Sequence, residues 1–223
     1  MSSRAYGQYC GFARALEVVG ERWAFLVVRD LLVGPKRFTD LQNGLAGIPS
    51  NVLTARLKEL EAAGVVARRI VPRPARAVVY ELTPYGAELE EIVVGLGRWG
   101  AKAMGDPRAQ EIVTLDSLII ALRSTFRSEA ARGVRVGYEL RAGEIVLHAR
   151  IDDGRIEAAA GPLPHPDLVI EAGPAIKLLM ARDITPAQAL ADGLVRIEGD
   201  PQLLDSFVEM FRIDPLPASG AAR

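Results

Sequence analysis

Residues 47–82, GIPSNVLTARLKELEAAGVVARRIVPRPARAVVYEL, constrain the fold more than any other stretch. Pro49 stands at a helix start, where its missing N–H costs nothing. Leu53, Leu57 and Leu60 recur at helical spacing, and Gly64 supplies the stop. Two β-rich runs follow, 65–71 and 78–82, joined by the basic tip Pro72-Arg73-Pro74-Ala75-Arg76-Ala77. Helix, strand, basic turn, strand is the layout of a recognition helix followed by a wing.

On a helical wheel the three leucines fall together, and the opposite arc carries Asn51, Thr54, Ala55 and Lys58. Short polar or small side chains with one cation approach base edges and phosphates without a bulky apolar group in the way. The candidate DNA contacts are therefore Ser50, Asn51, Thr54, Ala55, Arg56 and Lys58 on the helix, with Arg73 and Arg76 on the wing. Arg56 lies on the flank, where a phosphate contact or an internal ion pair suits it better than base reading. Residues 49–82 hold six Lys/Arg against three acids. An amphipathic helix and hairpin with a merely solvated charged face has the same pattern, so the preceding sequence matters.

That preceding sequence reads as two helices over 16–34, with Val18, Val19, Trp23, Phe25, Leu26, Val28, Leu31 and Leu32 as core candidates. A short third helix begins near Pro35, and the turn at 44–47 leads into the recognition helix. The runs Gly20-Glu21-Arg22-Trp23, residues 31–41 and Val52-Leu53-Thr54-Ala55-Arg56-Leu57-Lys58-Glu59-Leu60 resemble the HxlR-type winged-helix transcriptional regulators. Gly64-Val65-Val66-Ala67-Arg68, Tyr80-Glu81-Leu82-Thr83, Gly86 and Trp99-Gly100 extend the resemblance in order across residues 9–100. It implies a homodimer on double-stranded DNA, built from the first and last helices of the winged domain. Pro49 replaces the capping serine frequent in that family, leaving the cap to Ser50 or to no side chain. Cys10 occupies a position where the family often has a cysteine, sometimes an oxidant sensor; the alternative is a small buried hydrophobe. Arg14, one turn on, is placed to lower its pKa.

After the wing, Thr83-Pro84 starts a helix expected to run to Met104, with an apolar stripe at Leu89, Ile92, Val93, Leu96, Trp99 and Ala103. The expected organisation is a winged helix-turn-helix domain at 1–104, a linker at 105–111, an α+β domain at 112–214 and a tail at 215–223. A helix is expected over 114–132. Alternating strands are expected over 134–140 and 145–151, with Gly143 turning between them, and then over 155–160, 167–171 and 195–198. Helices are expected at 174–182, 186–191 and 201–211, packed on one side of a mainly antiparallel sheet. The segment Ala187-Gln188-Ala189-Leu190-Ala191-Asp192-Gly193-Leu194-Val195-Arg196-Ile197-Glu198-Gly199-Asp200 resembles the helix-Gly-strand-Gly signature of sterol carrier protein type 2-like domains. That resemblance implies an apolar cavity for a hydrophobic effector. A closed core uses the same residue types.

Composition limits the remaining classes. No uncharged apolar stretch approaches the ~20 residues of a membrane helix, and early charges interrupt any leader pattern. The expected location is the cytoplasm, with no membrane insertion. One cysteine and two histidines make a structural zinc site poor, and no phosphate-binding glycine loop is present. No cofactor, metal or catalytic residue is expected; His148 and His165 lack a sequence-local nucleophile or paired carboxylate. The net charge of −1 divides into +4 over residues 1–105 (14 Lys/Arg, 10 Asp/Glu) and −5 over the rest (13 and 18). That asymmetry suits one nucleic-acid-binding domain joined to one that does not touch DNA. A carrier or interaction protein, whose winged domain docks a protein partner, is the competing class.

Overall fold

Helix formation in the first half follows the apolar spacing. The computed structural model describes residues 5–72, 76–108 and 110–216. They form two units, the first ending at Val93 with residues 110–112 added, the second beginning at Val94 and taken up again from Val113. The first unit contains α1 (Gly11–Val19), α2 (Ala24–Leu31), α3 (Phe38–Gly44), α4 (Ser50–Ala62), β1 (Val66–Val71), β2 (Ala77–Leu82) and α5 (Pro84–Ala87). The helix α6 (Glu90–Ala101) starts in this unit and ends in the other. Val27, Val28, Leu31, Leu41, Leu45, Leu53, Leu57 and Leu60 make the core. Leu26, expected inside, is exposed, and Val27 takes the buried position.

Helix α4 ends in a Schellman arrangement: Val65 N–H donates to Leu60 O at 2.9 Å, and Gly64 N–H to Glu61 O at 3.0 Å. Gly64 adopts φ +72, as the motif requires. Strands β1 and β2 pair antiparallel, with Val66 opposite Leu82 and Val71 opposite Ala77. Lys36 adds a bridge that periodicity does not reveal. It exchanges backbone hydrogen bonds with Tyr80 at 2.9 and 2.7 Å, tying the α2–α3 connection to the hairpin.

The single helix expected over 84–104 is interrupted at Glu88-Leu89. Thr83 accepts from Gly86 N–H and donates to Gly64 O at 2.6 Å, which pins the first turn against the end of α4. Gly86 sits so close to the Val65 carbonyl that a Cβ would collide with it. Leu89 N–H then bonds to Gly86 O, tightening the chain before α6 begins. The break is a tertiary effect.

In the second unit, α7 (Leu115–Thr125) is capped reciprocally by Thr114 and Ser117. It stops short of the expected residue 132, because Phe126 leaves the helix to bridge with Phe211 and a short 3₁₀ turn, Ser128–Ala131, follows. Strands β3 (Arg135–Ala142), β4 (Ile145–Asp152), β5 (Arg155–Ala160), β6 (Leu168–Ala172) and β7 (Val195–Gly199) form one sheet in the order β5-β4-β3-β6-β7. The β3–β6 pairing is parallel and the other three are antiparallel, so the sheet is mixed. Helices α8 (Ala175–Ala181), α9 (Pro186–Ala191) and α10 (Gln202–Met210) complete the unit.

Tyr138 on β3, Phe207 on α10 and Phe211 are fully buried, with Phe126 beside them. Their rings lie 4.5–6.4 Å apart in stacked, tilted and edge contacts. The Tyr138 hydroxyl donates to Leu203 O at 3.1 Å. Burial, with a smaller contribution from the Asp167 carboxylate, raises its pKa, so it stays a protonated donor.

Phe207→Ala should destabilise the second unit by about 3–5 kcal/mol, measured by chemical denaturation, since it leaves a cavity among rings. Gly86→Ala should lower the stability of the first unit, because the new methyl meets backbone and cannot be relieved by a rotamer change.

Candidate nucleic-acid interface

A recognition surface needs a helix anchored on one side and polar on the other. Leu53, Leu57 and Leu60 provide the anchor on α4. Ser50, Asn51, Thr54 and Lys58 are exposed, and Ala55 is half-buried between the two faces. No bulky apolar side chain of α4 is exposed. Pro49 is the N-cap and no side chain caps the helix, which resolves the choice between Ser50 and none. The first-turn N–H groups thus lack a side-chain acceptor, and they carry the positive end of the helix dipole. Thr54 Oγ1 donates to Ser50 O at 2.8 Å, which orients the hydroxyl and leaves its lone pairs free to accept.

Arg56 differs from the rest of the set. Its side chain is 17% exposed and pairs with Glu59 at 2.6 Å and more distantly with Glu21 at 3.8 Å. The internal ion pair, rather than a phosphate contact, is the arrangement adopted. On the hairpin, Arg69 is bound by Glu81 through contacts of 2.9 and 3.0 Å, whereas Arg68 is exposed. Arg76 is exposed at the base of the tip, with φ +32. Arg73 lies outside the described residues. Two further cations, Arg37 and Arg68, stand outside the helical pattern of α4. Both are solvent-exposed cations of the same unit, but neither falls on the periodic face that the wheel selects.

Cys10 is exposed at the N-cap of α1 rather than buried. The backbone N–H of Ala13, and then that of Phe12, stabilises the thiolate and lowers its pKa below the ordinary thiol value. Arg14 is not the cause, because it is committed to Glu17 at 2.8 Å. Among the described residues no group of three or more His, Cys, Asp or Glu is placed to hold a metal, and no helix is long and apolar enough to cross a membrane.

Because the folded-state pKa is depressed, the Cys10 thiolate fraction should rise at lower pH than for a free thiol. Alkylation by iodoacetamide, followed by mass spectrometry, should therefore have its midpoint at a lower pH than that of a free cysteine peptide alkylated alongside. A midpoint at or above that of the peptide would show that the N–H contacts do not act on the sulfur in solution.

Comparison with known proteins places the first half of the chain in a family. The family described as HxlR-like helix-turn-helix matches residues 18–107. The uncharacterized HTH-type transcriptional regulator YvaP of Bacillus subtilis is 35% identical over 91 residues, covering 41% of this chain and 84% of that protein. YkvN of the same organism, another uncharacterized HTH-type transcriptional regulator, is 37% identical over 91 residues, covering 41% and 77%. Among solved structures, that of a putative HTH-type transcriptional regulator ytcD is 36% identical, covers 42% of this chain and 96% of its own, and superposes with a TM-score of 0.39. A buried leucine anchor, a polar recognition face, a paired wing and relatives matched over most of their length lead to one conclusion: the chain belongs to the HxlR-like helix-turn-helix family.

Proposed function

We infer that this protein is a DNA-binding transcriptional regulator, acting as a homodimer, with α4 in the major groove and the β1–β2 wing on the adjacent backbone or minor groove. The observation that carries the reading is the two-sidedness of α4. Three leucines fix it in the core while Asn51, Thr54 and Lys58 are exposed on a face short enough to reach base edges. The uncapped first turn supports it, since its N–H groups and dipole suit a phosphate. As a regulator the protein works where the DNA is, in the cytoplasm.

The homodimer is supported by α6. Ile92, Leu96 and Trp99, at i, i+4 and i+7, are 55%, 50% and 72% exposed, an apolar stripe that water does not favour. Phe12 on α1 is likewise exposed, in keeping with a pairing through the first and last helices. Two-fold symmetry then sets two α4 helices about one turn of DNA apart, roughly 34 Å, or a multiple of it.

For the second unit we propose a sterol-carrier-like effector module, supported by the order of its strands and helices and by the segment 187–200. A hydrophobic effector belongs in the apolar layer between sheet and helices. There the aromatic cluster already packs, so admitting a ligand means parting those rings. Mass spectrometry of the purified protein should reveal a co-purifying apolar molecule; a protein that is consistently empty would reduce this unit to a docking or dimerisation module. Cys10 supports a second mode of regulation, by oxidation. Cys10→Ser should bind DNA normally but no longer respond to diamide.

In operator titrations over a salt series, Lys58→Ala and Arg76→Ala should each weaken binding to all sequences and reduce the salt slope by ~1. Arg56→Ala should leave the slope unchanged, because its charge is spent on Glu59. Asn51→Ala should shift base preference by about 1–3 kcal/mol at a contacted pair. Trp99→Glu should yield monomers in sedimentation velocity and lose cooperative DNA binding. A protein that shows no salt-sensitive binding to heparin or DNA would instead be a carrier whose winged unit docks another protein.

A further inference from the structure

The second unit has a polar side as well as an apolar one. On the sheet face opposite Tyr138, the strap formed by residues 161–166 is tied to two buried polar side chains. Leu163 N–H donates to Glu139 Oε2 at 2.9 Å, and His148 Nδ1 lies 2.9 Å from Gly161 O. Glu139 and His148, neighbours across β3 and β4, are buried by this strap, and Arg141 neutralises Glu139 at 2.7 Å. Next along β3 is Gly137, where a Cβ would come 2.5 Å from Leu163 Cδ2. The missing side chain lets Leu163 seat.

Beside that seat the surface opens into a hollow of about 600 Å³, floored by Gly137 and bordered by Arg135, Arg150, Pro164, His165 and Asp167. That volume lies within the range of small-molecule sites, about 300–1,000 Å³. The charges around it are unequal in their commitments. Asp152 is paired with Arg135 at 2.8 Å, and Asp167 accepts the Gly137 N–H at 2.7 Å. Arg150 is exposed directly across from Gly137, with Glu157 its neighbour in register on β5. Among the described residues it makes no ion pair, with Glu157 or any other. His165 holds its place on the rim with φ +56, a conformation that costs a non-glycine residue energy and that clusters at ligand clamps.

We propose that this hollow binds a small monocarboxylic acid, with its carboxylate on the Arg150 guanidinium and its apolar body against Leu163 and Pro164. A guanidinium presents two parallel N–H donors that match a carboxylate bidentately. The backbone of Gly137 cannot add a donor for a phosphate, because its N–H is already given to the Asp167 carboxylate. Two carboxylates nearby, Asp152 and Asp167, disfavour a dianion more than a monoanion. The site is separate from the apolar layer on the other side of the sheet, and it does not depend on DNA binding.

The test uses the full chain without DNA and three probes that share one pentyl body: hexanoate, pentanol and pentylammonium. Saturation-transfer NMR and calorimetry should show hexanoate binding and the other two not. Arg150→Ala should weaken hexanoate at least tenfold, about 1.4 kcal/mol, with the melting temperature preserved, since the side chain is exposed. Arg196→Ala, an exposed arginine on β7, should leave hexanoate affinity unchanged. Equal binding of all three probes, equal loss in both arginine variants, an Arg150→Ala protein that binds hexanoate as before, or no hexanoate binding at all would each overturn the proposal.

Discussion

Burial of Leu53, Leu57 and Leu60 is the interaction on which the rest of the first unit depends. Each leucine contributes roughly 1.5–3 kcal/mol by leaving water, and together they fix the azimuth of α4. Once that azimuth is set, Asn51, Thr54 and Lys58 have no choice but to face outward. The C-terminal Schellman bonds then aim Val65 into β1, and the hairpin register follows from there. Thr83 closes the circuit by donating back to Gly64 O, at the end of the same helix. The candidate recognition surface is thus a by-product of apolar packing.

The second unit is organised by a different economy. Its central strand β3 is covered on both faces, by aromatic rings on one side and by the 161–166 strap on the other. A strand covered twice should read as continuously apolar, yet β3 carries Glu139 at its centre. The carboxylate is tolerated because Arg141 and the Leu163 N–H satisfy it. Removing Arg141 would strand a charge that the fold otherwise neutralises.

What the sequence made legible is what periodicity encodes. The leucine spacing located α4 to within a residue, and the alternations and turn residues placed β3, β4 and β5 within a residue or two of their observed ends. What it concealed is what tertiary contact decides. The break before α6 arises from Gly86 meeting the Val65 carbonyl, two groups 21 positions apart. The early end of α7 arises from the Phe126–Phe211 bridge, and the parallel β3–β6 pairing from the way the strap returns the chain. For the candidate interface, residue type was informative but side-chain direction was not. Arg56 has the charge and position of a phosphate contact and is engaged by Glu59. Cys10 has the composition of a core residue and lies exposed at a helix start.

The paired hydrogen bonds between Lys36 and Tyr80 carry a consequence for how the protein is made. They join residues 44 positions apart, across α3, α4 and most of the hairpin. A chain emerging from the ribosome can form the turns of α3 and α4 early, since helices need only local contacts. It cannot lock the α2–α3 connection in place until β2 has been synthesised and has cleared the exit tunnel. During that interval a nascent chain holds α4 on an unfinished frame. The wing is therefore also the final clasp of the unit, and a chain truncated before residue 80 would lack it.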